Sequence, residues 1–304
     1  MRVAYRSHPL VRSIKRHFWE RYYNKLIKKN RNIRILVLLH LYYDESWIEI
    51  REYLQNLRLY TTQLIVTCTK GRIQQSTIDS ICTQYRNSRV IYCENKGYDL
   101  GPFFEACRVV NACQFDVIIK LHSKGTKRPI QFNYNQLFFR RSWFSNLFEG
   151  VVSAKNIHRI VDELANSPDI DIAAAHNLIV HDPKYKAKHH SRIAASQGLV
   201  LPRNYRYVAG TCFAMSARHF TRLQQLNYSL DDFDDTNESE IWDLAHFLER
   251  YICTVDTNRQ FYATHCCTVR RMLTTPLTPL LKHTFPRMKK LRDKRLNRDS
   301  YGPL

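Results

Sequence analysis

The sequence predicts an α/β fold, a Rossmann-like, mostly parallel sheet flanked by helices, with basic helical extensions at both ends. Three observations predict the sheet. Short, near-continuous apolar runs alternate with helical patterns from residue 33 to residue 122, four strand–helix repeats in about ninety residues. Hydrophobic residues make up 44% and aromatics 12%, too many for a disordered chain. A length of 304 residues is enough to bury a substantial core.

The elements follow in order. Val11, Ile14, Phe18, Tyr22 and Leu26 recur at helical spacing, widened by Trp19, Tyr23 and Ile27, while Arg12, Lys15, Arg16, Lys25, Lys28 and Lys29 lie mostly off that stripe. Such a helix either lies on a bilayer or packs on the main domain or a second subunit. Residues 33–41 (IRILVLLHL) read as a strand covered on both faces. Trp47, Ile50, Leu54 and Leu57 make a helix face; 63–67 is a second strand and 73–85 a second helix. Residues 89–93 form a third strand, followed by a helix over 102–113, and 116–122 is the fourth strand. An aromatic-rich stretch (138–148), a helix (156–164) and a strand (170–175) come next. Residues 181–206 are polar, basic and aperiodic, as a long functional or mobile loop would be. A strand over 207–215 and helices over 217–226 and 240–251 complete the pattern. The expected organisation is an extension (1–32), one domain (33–265, with halves 33–128 and 129–265) and a basic tail (266–304).

Charge is unevenly placed. The formal net charge is +20, but residues 1–31 hold ten Lys/Arg against Glu20, and residues 283–299 hold seven against Asp293 and Asp299. Fourteen of the twenty surplus charges therefore lie in the ends. A nucleic-acid-binding domain spreads its basic residues over a folded groove, so nucleic acid is not the expected partner. An anionic membrane surface, met through the basic termini, is. No run approaches a membrane span, and the first residues lack the apolar core of a secretory leader. The nine cysteines are odd in number and without a C-x-x-C pair, which suits reduced thiols and a cytoplasmic protein; the basic termini would hold it peripherally on the cytoplasmic face of the inner membrane.

Ligands of open parallel sheets bind outside the carboxyl ends of the strands. Those ends read His40-Leu-Tyr-Tyr-Asp44, Thr67-Cys-Thr-Lys-Gly71, Glu94-Asn-Lys-Gly-Tyr-Asp-Leu-Gly-Pro102, Lys120-Leu-His-Ser-Lys124 and Gly210-Thr-Cys212. Gly97 and Gly101 flank a helix start, where backbone N–H groups favour an anion. Lys120, His122 and Lys124 alternate, so an extended chain points them to one face. Such a cluster repels itself unless an anion sits within it. A solvated basic loop is one reading; a diphosphate accounts for the cluster better.

These blocks carry a resemblance. His40…Tyr43…Trp47, E-N-K-G-Y-D-L-G-P-F (94–103), I-K-L-H-S-K (119–124), A-G-T-C-F (209–213) and L-A-H-F-L-E-R (244–250) together resemble the rhamnan synthesis F family, over about residues 33–255. That family is associated with cell-surface polysaccharides and is glycosyltransferase-like. The resemblance implies a GT-A-like enzyme using a dTDP- or UDP-sugar donor, rhamnose by the family's name, and a glycan or lipid-linked acceptor. Most GT-A enzymes end a strand in an Asp-x-Asp that holds a divalent metal. The matching strand here ends Lys120-Leu-His122-Ser-Lys124, without carboxylates, so no Mg²⁺ or Mn²⁺ is firmly expected. Lys120, Lys124 and His122 would offset the diphosphate's charge instead. Tyr42 or Tyr43 would stack on the base, with Thr67, His40 and Asn95 nearby. Asp99 would bind donor hydroxyls or cap the following helix. Gly210 and Thr211 fall to the acceptor side. An inverting transfer needs a base, for which Glu240 comes first, then Asp243, with Glu238 behind. His246 and Glu249 would hold a sugar or brace the helix. The alternatives are a non-catalytic basic binding protein, docked on nucleic acid or polysaccharide-assembly partners, and a transferase fold that has lost its donor.

Overall fold

The computed structural model describes residues 9–124, 130–133, 136–181, 187–202, 204–236, 243–255 and 260–265. Four parallel strands arise from the predicted repeats: β1 (Arg34–Leu41), β2 (Thr61–Thr69), β3 (Arg89–Cys93) and β4 (Val117–His122). Their sequences explain their places. All but the first residue of β1 and every residue of β4 are buried, as strands covered on both faces require. β3, with Arg89 and Tyr92 exposed, is an edge. Beyond β4 come β10 (Phe213–Ser216), β7 (Ile170–Ala175) and β11 (Gln260–Thr264), giving the order β11-β7-β10-β4-β1-β2-β3. Only β10 runs antiparallel to its neighbours within this sheet. One sheet therefore spans both predicted halves.

Helices cover both faces. α2 (Trp47–Leu54), α5 (Arg140–Val152) and α6 (Ala154–Asn166) form one layer, to which α3 (Gln75–Gln84) is tied by Trp47 Nε1 donating to Ser80 Oγ. α4 (Leu100–Arg108), α8 (Ala217–Gln225) and α9 (Leu244–Tyr251) form the other. The stripe of α1 (Pro9–Lys29) divides. Leu26 is buried and Tyr23 and Ile27 are half-buried, and Asp162 of α6 accepts from Lys29 (2.6 Å) and Asn30 (3.0 Å). The extension thus packs on the main domain along its last turns. The basic tail lies outside the described residues.

Several expectations are corrected. The strand over 207–215 is two: β9 (Tyr207–Val208) pairs with β8 (Ile179–Val180), and β10 joins the main sheet. Between them Gly210 and Thr211 take positive φ of 77° and 49°, which reverses the chain. The loop over 181–206 carries α7 (Ala187–Ser196), whose buried face uses His190 and Ala194 rather than large apolar residues. The aromatic-rich stretch becomes the end of a hairpin, β5 (Ile130–Asn133) with β6 (Gln136–Phe139), and the helix α5. β11 was not anticipated. α9 begins at Leu244, not at 240, because Asp243 caps it by accepting from His246 N (3.0 Å). Of the cysteines, Cys68, Cys93, Cys107, Cys212 and Cys253 are buried free thiols, but Cys82 and Cys113 are exposed.

The loop after β3 is shaped by two glycines. Gly97 has φ +63°, and a Cβ there would stand 2.5 Å from the Phe233 ring. A Cβ on Gly101 would stand 2.4 Å from the Lys96 carbonyl oxygen. Gly71 also has positive φ, but its surroundings are open. Replacing Gly97 with Ala should therefore lower stability by roughly 2–4 kcal/mol, and Gly71→Ala by about 1 kcal/mol, in urea melts. Equal losses would show that the Phe233 contact yields without cost.

Candidate functional site

The carboxyl ends of β1, β2, β3 and β4 gather the predicted residues, but in two layers. His40, Thr67, Lys120, His122 and Thr211 are all buried. They form a floor. Tyr42, Asn95, Asp99, Lys124 and Gly210 are partly exposed, and Tyr43 and Tyr98 more so; these rim it.

Lys120 is the centre of the floor. Its side chain rises from β4 with 1% of the residue exposed. Its ammonium donates to Asp99 Oδ2 (2.5 Å), Thr211 Oγ1 (2.9 Å) and Thr211 O (3.1 Å). The Thr211 hydroxyl also donates to Asp99 Oδ2. The anion that the cluster needs is thus supplied by the chain itself, and the three ammonium N–H groups are bonded to protein. Lys120 is therefore not a ready donor to a diphosphate. Asp99 occupies the N-cap position of α4 but makes no cap hydrogen bond; it serves Lys120 instead.

His122 sits one pleat further on. Its Nε2 is 2.6 Å from Gly210 O, and a carbonyl only accepts, so Nε2 carries the proton. Gly210 N in turn donates to Glu249 Oε1 of α9 (3.2 Å), whose other oxygen accepts from Arg250 (3.1 Å). His40 Nδ1 meets Thr67 Oγ1 at 3.1 Å, in register with His122 on the neighbouring strand. Burial would raise the Asp99 carboxyl, but His122, Lys120 and Lys124 outweigh it and hold Asp99 well below the usual carboxylate range. Burial pushes His40 down to about 4 and His122 to about 3, against opposition from Asp99. Both rings are therefore neutral near neutral pH, and the two lysines keep Asp99 ionised there.

The glycines of the E-N-K-G-Y-D-L-G-P-F block have a different role from the one expected. Gly97 N donates to Asp234 O and Gly101 N to Gly97 O, so neither offers its N–H to an anion. With Thr236 N donating to Asn95 O, the loop is laced to residues 234–236. Tyr98, at φ 56°, is left-handed without being glycine. Its ring lies edge-on to His246, centroids 5.1 Å apart. His246 Nδ1 is 2.8 Å from Asp243 Oδ1, and the Asp243 side chain is buried. Asp243 is thus spent on capping α9 and orienting His246. Glu240 and Glu238 lie outside the described residues.

On the rim, Ser123 Oγ accepts from the backbone N–H groups of both Tyr42 (2.8 Å) and Tyr43 (3.1 Å), binding the ends of β1 and β4 together. The Arg72 guanidinium covers the Tyr42 ring at 4.7 Å, so Tyr43 is the ring with an open side to offer a base. Sequence reading missed Arg72. Its signal was its place directly after Gly71, at the end of β2. At the β4 end Lys120 is paired with Asp99 and His122 with Gly210 O, which leaves Lys124, partly exposed on the rim, as the remaining lysine of the predicted cluster. Among the described residues no cluster of His, Cys, Asp and Glu has metal-ligand geometry.

The family model for rhamnan synthesis protein F matches residues 13–261. Among solved structures the chain is similar to the galactosyltransferase LgtC in complex with donor and acceptor sugar analogs. The likeness covers 75% of this chain and 73% of that one, at 7% identity and a TM-score of 0.36. No curated protein matches the chain.

The neutral buried histidines set a pH dependence. An unfolded histidine takes up its proton near pH 6.5, whereas His40 and His122 resist until about 4 and about 3. Their contribution to stability is full above about pH 6.5 and is lost as pH falls through the folded values. Urea midpoints should drop between about pH 7 and about pH 5, and His122→Gln should flatten that drop. A slope unchanged in the variant would show that His122 does not carry it.

Proposed function

The chain belongs to the rhamnan synthesis protein F family, and on that premise we propose that it is a glycosyltransferase. It moves a sugar from a nucleotide-activated donor to a growing cell-surface polysaccharide or lipid-linked glycan. The observation that supports this most is the contact between Tyr98, on the loop after β3, and His246 on α9. This contact brings the loop after β3, which carries Asp99, against the helix that carries the oriented imidazole.

The residues divide the work as follows. Tyr43 stacks on the nucleobase, while Lys124 and Arg72 meet the diphosphate. Asn95 faces the donor sugar. Lys120 and Asp99 neutralise each other beneath and hold the Gly210–Thr211 turn on the acceptor side. With Nδ1–H donated to Asp243, Nε2 is the basic nitrogen of His246. The acceptor oxygen attacks the anomeric carbon as its proton passes to Nε2. The anomeric C–O bond breaks with its electron pair going to the diphosphate, where Lys124 and Arg72 offset the charge. A single displacement of this kind inverts the configuration. No divalent ion is assigned to the donor, since Asp99, the carboxylate at the β4 end, is paired with Lys120. The rhamnose and its dTDP carrier follow from the family's name, with a UDP-sugar as the alternative donor.

Turnover with a dTDP-rhamnose donor is the test. His246→Ala should lower kcat by about 100- to 10,000-fold while leaving nucleotide-induced thermal stabilisation intact. Lys124→Ala should instead weaken that stabilisation, and EDTA should leave turnover unchanged. Wild-type kcat in His246→Ala would return the base to Glu240. Stabilisation by no nucleotide sugar would remove the transferase reading itself.

A further inference from the structure

Along α1 runs a row of aromatics that the fold orders but covers only in part. Phe18 is 63% exposed, Trp19 40% and Tyr22 37%. They are not loosely held: the Arg159 guanidinium of α6 stands 4.7 Å from the Trp19 ring, 5.5 Å from Tyr22 and 5.7 Å from Tyr23. Phe18 and Trp19 pack edge to face at 5.6 Å, as do Trp19 and Tyr22 at 5.7 Å. Trp19 lies on the same line as Leu26 and Asn30, which with Lys29 hold the helix on α6, so the row runs along the edge of the docked face.

Basic residues border the row. At about 100° per residue, Phe18, Tyr22 and Lys25 share one line along the helix, Arg21 and Lys28 flank it, and Glu20 lies roughly opposite. Arg21, Lys25 and Lys28 are all exposed. Rigid Trp, Tyr and Phe with flanking Lys and Arg match the chemistry of a bilayer interface that carries negative charge. A second copy of the chain fits less well. Two such faces would bring their own cations together, in a protein already at +20. Among the described residues no helix is long and apolar enough to cross a membrane, so contact by α1 would be along the surface.

We propose that the Phe18–Trp19–Tyr22 face of α1, with Arg21, Lys25 and Lys28, docks the protein on an anionic lipid surface. The proposal is independent of the transferase reading. It is also distinct from any contribution of the basic tail, which the test must separate.

The full chain is sedimented with phosphatidylcholine vesicles containing roughly one-quarter phosphatidylglycerol, and with phosphatidylcholine alone. The wild type should bind the anionic vesicles, and Phe18→Ser/Lys25→Glu/Lys28→Glu should lower that partitioning about tenfold or more. These positions are exposed, so the variant should keep the wild-type melting temperature. Brominated acyl chains should quench a part of the tryptophan fluorescence that Trp19→Phe removes. Three results would overturn the proposal. They are equal vesicle binding by the triple variant, bromolipid quenching unchanged in Trp19→Phe, and a dimer in light scattering that the triple variant dissolves.

Discussion

A buried ammonium is the constraint on which this site depends. Lys120 lies in the middle strand of the sheet, where an unpaired charge would cost several kcal/mol. Its partners come from far along the chain: Asp99, 21 residues before it, and Thr211, 91 residues after it. The loop after β3, the end of β4 and the turn before β10 are therefore tied at one atom. Removing either charge would strand the other, so the three segments hold or fail together.

This tie explains where the backbone is strained. Among the described residues three non-glycine positions have positive φ, Tyr98, Thr211 and Asn227, and two of them flank the ion pair. Tyr98 is next to Asp99, and Thr211 bonds both Asp99 and Lys120. Strained conformations of this kind persist where surrounding contacts over-determine them. A second tie runs from His122 through Gly210 to Glu249 and Arg250, and so to α9. The placement of His246 against Tyr98 follows from both ties, not from the sequence of α9 alone.

Much of the sheet was legible because β1 is almost wholly apolar and β2 and β4 each carry a short apolar run, Leu64–Val66 and Val117–Ile119, a pattern that local sequence carries by itself. The grouping of His40, Thr67, Lys120 and His122 at the strand ends was legible for the same reason. Their burial was not. Whether Lys120 faces a ligand or the interior is decided by Asp99, and no period in the sequence links the two. Asp99 itself looked like a cap or a sugar ligand, since a carboxylate before a helix fits either role. Gly97 and Gly101 looked like an anion cradle, because the approach of Phe233 and of the Lys96 carbonyl is a tertiary fact. The helix α7 was hidden by its use of His190 in place of a large apolar residue.

Amide hydrogen exchange in Lys120→Met tests the shared tie most directly. Methionine keeps the length and apolar stem of the side chain but removes the charge. If one ammonium fixes both strained segments, residues 97–100 and 210–213 should lose protection together, while β1 and β2 keep theirs. Loss confined to one segment, or protection unchanged in both, would contradict the account.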